Sequence, residues 1–305
     1  MIIWGLCCCF AAEPIKFRRS TATVMVKFAR AEQLQRLSAL VLSNTGSLMA
    51  ALQACVRLQI GAFRINSELF PLATHPQAGY DLDELPAAEA IKAALARART
   101  YAVERRLRLS FHPDQFVVLN SPHPEVLASS VTELMHQHRM AEYCGATEIN
   151  LHGGGVYGDK KAALQRLRQN IDALPEAVRG CLTLENDDRL FTVTDLEPVC
   201  REMQLPLVYD VHHHRVNPDG LSIAAASALA AQTWELRGGL PHVHLSSPVL
   251  AWTATGNHRP HADYIDSRDI PECWASCDLV VDVEAKAKEL AICKLLYERP
   301  DLGKP

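Results

Sequence analysis

The sequence predicts an α/β protein whose chain closes into a parallel (β/α)8 barrel. Three observations predict it: eight short apolar runs recur along 305 residues, amphipathic stretches separate them, and side chains of metal-ligating type stand at or just past the ends of most runs. Short apolar runs alternating with helical patterns call for parallel strands joined by right-handed crossovers. Eight such units close a barrel, and its strand ends converge on the one face where barrels build their sites.

The first strand is expected at residues 2–6. The apolar N-terminus lacks the charged region of a signal peptide and is too short to span a bilayer, so a cytoplasmic protein is expected. Strand two falls at 60–65, followed by a long loop (68–86) and a helix (87–106) with Ala90, Ile91, Ala94, Leu95, Ala98 and Ala102 on one face. Strand three, 107–112, is stopped by Pro113. A helix at 124–143, a strand at 147–152, a helix at 160–173 and strands at 182–185 and 207–210 follow. A helix at 221–236, a strand at 243–245, a second long loop (246–274) and a strand at 279–284 complete the count. No linker or repeat divides the chain, so residues 1–305 are read as a single domain. Long βα loops are where barrels place recognition.

A hydrophobic fraction of 48% with 22% charged residues is ordinary for a globular enzyme. The net charge of −4 gives no overall basic footprint, although bound divalent cations would add positive charge that a sequence count misses. The ten cysteines include the run Cys7, Cys8, Cys9 but no CxxC pair, which favours free thiols over a disulfide framework or zinc knuckle.

The chemistry sits at the strand ends. His112 stands at the rim before Pro113, with Gln115 free in the loop beyond. His152 precedes three glycines, which let a ligand approach the backbone. Glu185 ends its run, and a carboxylate there has two oxygens with which to bridge two metal ions. In Asp210-Val211-His212-His213-His214, Asp210 and His212 share a face if the strand continues, while His213 reaches from the loop. His242 and His244 share a strand face, one as a ligand and the other as its supporting partner. His258, His261 and Asp263 lie in the second long loop, and Glu284 ends the last strand. Solvated loop residues, helix caps and buried histidines are the plain alternatives for each. Eight imidazoles and carboxylates on one face are a multinuclear metal site.

The stretches FRINSELFP (63–71), SFHPDQ (110–115), NLHGGG (150–155), LENDD (184–188), DVHHH (210–214), HLSSP (244–248), HADYI (261–265) and EAKAKE (284–289) together resemble the UV damage endonucleases. The resemblance covers most of the chain in the family's order. It implies a TIM barrel related to endonuclease IV, with three divalent ions, manganese being the expected metal. By matching motifs, His112 and His152 would hold one ion and Glu185 would bridge it to a second. Asp210, His244 and Glu284 would complete the second ion's set of ligands, and His213 and His261 would hold the third ion. Glu185, His244 and Glu284 would be the catalytic residues, supported from behind by His242 and Lys286.

Three positions depart from the family pattern. Leu6 replaces a tyrosine near DNA, Phe116 replaces a phenol at the lesion, and His242 stands where many members have lysine. Gln115, Phe116 and Leu6 are the expected contacts to damaged double-stranded DNA, with no membrane and no obligate protein partner. The implied reaction is hydrolysis immediately 5′ to UV photoproducts or other distorting lesions, leaving 3′-hydroxyl and 5′-phosphate. Adjacent cations suit it by generating hydroxide and neutralising the phosphate oxygens. The alternatives are a divalent-metal sugar isomerase or epimerase, which would leave His213 and His261 idle, and a non-catalytic damage-binding relative.

Overall fold

Strands β1 (Ile2–Cys7), β2 (Ala62–Ile65), β3 (Arg108–Phe111), β4 (Glu148–His152), β5 (Leu182–Glu185), β6 (Leu207–Asp210), β7 (His242–Leu245) and β8 (Leu279–Val283) form a closed barrel, each pairing with the next and β8 with β1. The pairings of β1 with β2 and with β8 are parallel. The computed structural model describes residues 1–235 and 237–303; Leu236, the expected end of the 221–236 helix, lies outside them.

The outer layer comprises α1 (Ala22–Met25), α2 (Arg30–Arg57), α3 (Ala88–Glu104), α4 (Pro124–Cys144), α5 (Lys160–Asp172), α6 (Glu176–Cys181), α7 (Val193–Met203), α8 (Val211–Val216), α9 (Ile223–Glu235) and α10 (Glu289–Glu298). The expected helices appear as α3, α4, α5 and α9, ending within two residues of the expected bounds at each end inside the described segments. Helix α2 is long and apolar enough to cross a membrane by composition. Its Leu37, Val41, Leu48 and Leu52 are instead fully buried in the core, which is what the apolar stripe serves.

Strict alternation breaks once. Among the described residues, the β7–β8 connection carries only the 3-10 turns Ser267–Asp269 and Glu272–Ser276. Pro248, Pro260 and Pro271 interrupt this stretch, and each removes a backbone donor that a helix would need. The segment is tied down by its own side chains. Trp252 Nε1 donates to Asp269 Oδ1 at 2.9 Å, and Trp274 is buried in the core.

Inside the barrel, branched apolar side chains usually fill the layers. Here a string of charged groups replaces part of that filling. Arg108 donates to Glu148 at 2.6 Å, Glu148 faces His242 Nδ1 at 2.8 Å, and His242 Nε2 lies 3.3 Å from Asp282. Asp282 accepts from Arg64 Nε at 3.2 Å, and Arg64 Nη2 donates to Glu284 at 2.6 Å. Gly5 makes room for this string, because a Cβ there would run into the Asp282 carboxylate.

Candidate metal centre

Each donor is aimed by the local structure of its strand end. His112 follows β3, where Pro113 ends the ladder, and its Nδ1 lies 3.1 Å from the Pro113 carbonyl. A proton on Nδ1 satisfies that carbonyl and leaves Nε2 free as a donor atom. His152 is the last residue of β4. The loop beyond it turns at Gly154 (φ 86°), where a side chain would collide with Asn120. Asn120 clamps that loop, donating to the Gly153 and Gly155 carbonyls at 2.6 and 2.9 Å and accepting from Gly155 N–H at 3.1 Å.

Glu185 sits at the centre. Its Oε2 lies 3.1 Å from His112 Nε2, while its Oε1 lies 3.1 Å from His244 Nδ1 and 3.4 Å from His213 Nδ1. One carboxylate therefore faces two sets of imidazoles with its two oxygens. Asn150, whose amide donates to Oε2 and accepts from Thr183 at 2.9 Å, fixes its orientation. Burial would raise the Glu185 pKa, but the positive fields of His244 and His152 and the hydrogen bond of His112 outweigh it and hold the carboxyl well below its usual range.

The Asp210–His214 stretch corrects an expectation. The strand does not continue past Asp210; α8 begins at Val211, with Asp210 as its N-cap accepting from His213 N–H at 2.8 Å. His212 is therefore not alternated onto Asp210's face. It packs against Trp252 and His261, ring centroids 5.5 and 4.9 Å away. The cap leaves Asp210 Oδ2 facing the site, 3.5 Å from His213 and 3.9 Å from His244. His213 Nδ1 lies 2.9 Å from the Asn186 carbonyl, and Asn186 also ties β5 to Asp210 through both its amide atoms at 2.9 Å. Burial lowers the His213 pKa, yet Asp210, Glu185 and Glu284 together raise it to about 9. Burial dominates at His112 and lowers its pKa.

Glu284 follows β8, its Oε1 3.5 Å from His244 Nδ1 and its Oε2 3.7 Å from His261 Nδ1. All eight expected donors are thus linked by contacts into one cluster. Two triads have donor atoms within 4.8 Å of one another: His112, His152, Glu185 and Glu185, Asp210, His213. Three atoms of the eight donor residues, His152 Nδ1, Asp210 Oδ2 and His244 Nδ1, are buried without a hydrogen-bond partner. Buried polar atoms are rarely left unsatisfied, and a divalent cation would satisfy these. The imidazole and carboxylate set fits such an ion. A third triad, His242, His244 and Asp282, meets the same distance test. Arg64 already ion-pairs with Asp282 at 3.2 Å, so a second cation there would face a fixed positive charge.

The expected supporting and DNA-facing residues fall in different places. His242 is buried behind the donors, its ring 5.2 Å from that of His244 (centroids), and it contacts Glu148 and Asp282. Lys286 is exposed, so it does not back the donors from within. Leu6, expected against DNA, is fully buried in the core; strand alternation gives the inward face to Gly5 and Cys7. His258 stacks on Trp252 (centroids 5.2 Å) and Asp263 is exposed, so the second loop brings only His261 to the cluster. Gln115 and Phe116 stand exposed on the loop after His112, Phe116 by 76%. Arg64, Glu148 and Asp282 went unnoticed in the sequence; a charge inside an otherwise apolar strand run was the signal that could have found them. All ten cysteines are free.

The family model described as "UV-endonuclease UvdE" matches residues 4–304. The chain belongs to the UV-endonuclease UvdE family. It is 33% identical to the UV DNA damage endonuclease of Bacillus velezensis over 300 residues, covering 95% of this chain and 90% of the relative. It is similar in structure to the crystal structure named SacUVDE (TM-score 0.83, 25% identity, 99% of this chain and 100% of that one). Endonuclease IV from Thermus thermophilus shares the fold at TM-score 0.55 and 16% identity over 83% of this chain and 94% of that one.

Proposed function

We propose that this UvdE family member is a metal-dependent DNA repair endonuclease that cleaves double-stranded DNA immediately 5′ to UV photoproducts or other distorting lesions, leaving 3′-hydroxyl and 5′-phosphate. The observation that carries the reading is the Glu185 carboxylate, whose two oxygens face separate imidazole groups at 3.1 Å. His112, His152 and Glu185 would hold one ion, Asp210, His244 and Glu284 with Glu185 a second, and His213 and His261 a third, with manganese the favoured metal. Such ions supply charge neutralisation at the scissile phosphate and an activated water at neutral pH.

The protein's own residues position that chemistry. Asn150 and Thr183 lock Glu185, and the N-cap bond locks Asp210. Arg64 pins one oxygen of Glu284 and leaves Oε2 to the site. On the duplex, Phe116 supplies a stacking face and Gln115 a polar amide for the space left by displaced bases. A lesion lowers the cost of that displacement, because its stacking is already disturbed.

The test is incision of a duplex with one defined cyclobutane dimer, with and without manganese. Wild type should nick only with metal. Glu185→Gln should fold normally and lose at least about a hundredfold in rate, the scale of removing a key electrostatic element. Near-normal nicking by that variant would refute the assignment.

A further inference from the structure

The chain carries a net charge of −4, yet a duplex needs a cationic surface somewhere beside the site. One segment has that character. Between residues 13 and 29, after β1, the sequence holds Lys16, Arg18, Arg19 and Lys27 against a single carboxylate, Glu13. Glu13 is taken by Arg57 at 2.6 Å.

The segment is irregular but firmly held. The buried Glu289 carboxylate accepts the backbone N–H groups of Ala11, Ala12 and Glu13 at 2.7, 2.6 and 3.2 Å. Fully buried Asn44 pairs with both backbone groups of Arg18 at 2.7 and 2.8 Å, and Ser47 donates to the Lys16 carbonyl at 2.8 Å. Ile15 and Phe17 pack against the core, Lys16 and Arg18 alternate with them outward, and Arg19 follows; all three cations are exposed. The alternation is that of an extended strand with one face docked. Of the three outward cations, Arg19 has a weak partner, Glu68 at 3.6 Å, with its side chain 75% exposed. Lys16 and Arg18 have no carboxylate partner among the described residues.

Location decides the use. The segment is a βα loop, so it lies on the same end of the barrel as the donor cluster. Arg19 and Phe116 line one cleft of about 660 Å3. The cationic ridge therefore runs along the rim that also presents the exposed aromatic, and its backbone is ordered before any partner arrives.

We infer that Lys16 and Arg18, with Arg19 beside them, form a strap that binds the phosphate backbone of duplex DNA independently of sequence and of damage. The inference rests on the DNA reading above and adds a site to it. Phosphate contacts fix register on the duplex without reading it, which is the complement of the role given to Gln115 and Phe116.

The experiment compares metal-loaded wild type with Lys16→Gln/Arg18→Gln and with a control, Arg105→Gln/Arg106→Gln, which removes the same charge from the exposed turn before β3 at the opposite rim. Binding to an undamaged duplex is measured across a salt series, and KM and kcat are measured on the dimer-containing duplex. The strap variant should bind undamaged duplex about tenfold more weakly or worse, and its log–log salt slope should fall by about 1.8, at about 0.9 per phosphate contact. KM should rise with kcat and metal content unchanged, and the control should behave as wild type. An unchanged slope, or an equal loss in the control, overturns the strap while leaving incision intact. Wild type that neither binds nor incises duplex DNA overturns the DNA reading itself, and the strap with it.

Discussion

Phe116 stands 76% exposed because its turn is anchored on either side. Asp114 accepts from the backbone of Phe116 and Val117 at 3.3 and 2.9 Å, and Val117 is buried. Leaving a phenyl ring in water has a hydrophobic cost that a folding argument alone does not repay. On the proposed function, a stacked base would cover it. Gln115→Ala/Phe116→Ala should weaken binding to damaged duplex by roughly tenfold or more, at about 1–3 kcal/mol per stacked base. Metal content should stay at wild-type level, since neither residue reaches the donors. Full preference for damaged over undamaged duplex in the double variant, measured at one salt concentration, would move the probe elsewhere. Arg64 is the buried counterpart at this scale. Its guanidinium separates Asp282 from Glu284 at 3.2 and 2.6 Å, so Arg64→Met takes the fixed cation from both carboxylates and leaves them only imidazole neighbours. Breaking a buried pair costs about 3–5 kcal/mol, and urea unfolding of chelator-treated protein should show a loss of that order. An apo-protein variant as stable as wild type would mean the carboxylates find other partners.

At the scale of elements, Glu148, His242 and Asp282 join β4 across the barrel to β7 and β8, of which only the last two share a ladder. Glu148 is penalised by burial, but the His242 and Arg108 charges outweigh this and lower its pKa. Asp282 is lowered likewise, by His242 and Arg64 against burial. A carboxylate with a depressed folded pKa contributes stability above its unfolded pKa, about 4, and loses it as pH falls through the folded value. Burial lowers the His242 pKa, but Asp282 and Glu148 together raise it to about 9. Its contribution is complete below about 6.5 and disappears as pH rises through about 9. In metal-free protein, Glu148→Gln should therefore be destabilised near pH 7, with the gap to wild type closing as pH drops below 4. Wild type should also lose stability between pH 6.5 and 9. Denaturant midpoints from below pH 4 to pH 9 check both limbs, and a pH-independent gap would remove Glu148 from the network.

For the whole molecule, folding and metal binding should be one coupled process, because the donors come from β3 through β8 and meet only when the barrel closes. The protein loaded without chelator should hold more than two equivalents of divalent ion by elemental analysis; one or fewer would sink the trinuclear reading and favour the isomerase alternative. Ions that bind only the folded state stabilise it by mass action, about 2.7 kcal/mol at a hundredfold excess over Kd. Chelation should accordingly lower the melting temperature, and manganese should restore it.

Most of this was legible in the chain. The eight strands are local, short and apolar, and most donors stand where those runs stop, at His112, His152, Glu185, Asp210 and Glu284, so period and position pointed to them. Sequence alone determined the barrel, and it named the eight candidate donors that the fold gathers and the exposed Gln115–Phe116 loop. Only tertiary structure decided what faces what across the barrel. Arg64, Glu148 and Asp282 are far apart in sequence and hidden within apolar runs, and their pairing depends on which strand faces bring them together. Leu6 reads as a rim residue until strand alternation buries it. His212 leaves Asp210's face because a capping bond, available only where α8 docks, ends the strand. Local propensity acts over a few residues and can be read in order; burial and charge pairing depend on distances that exist only after the sheet has closed.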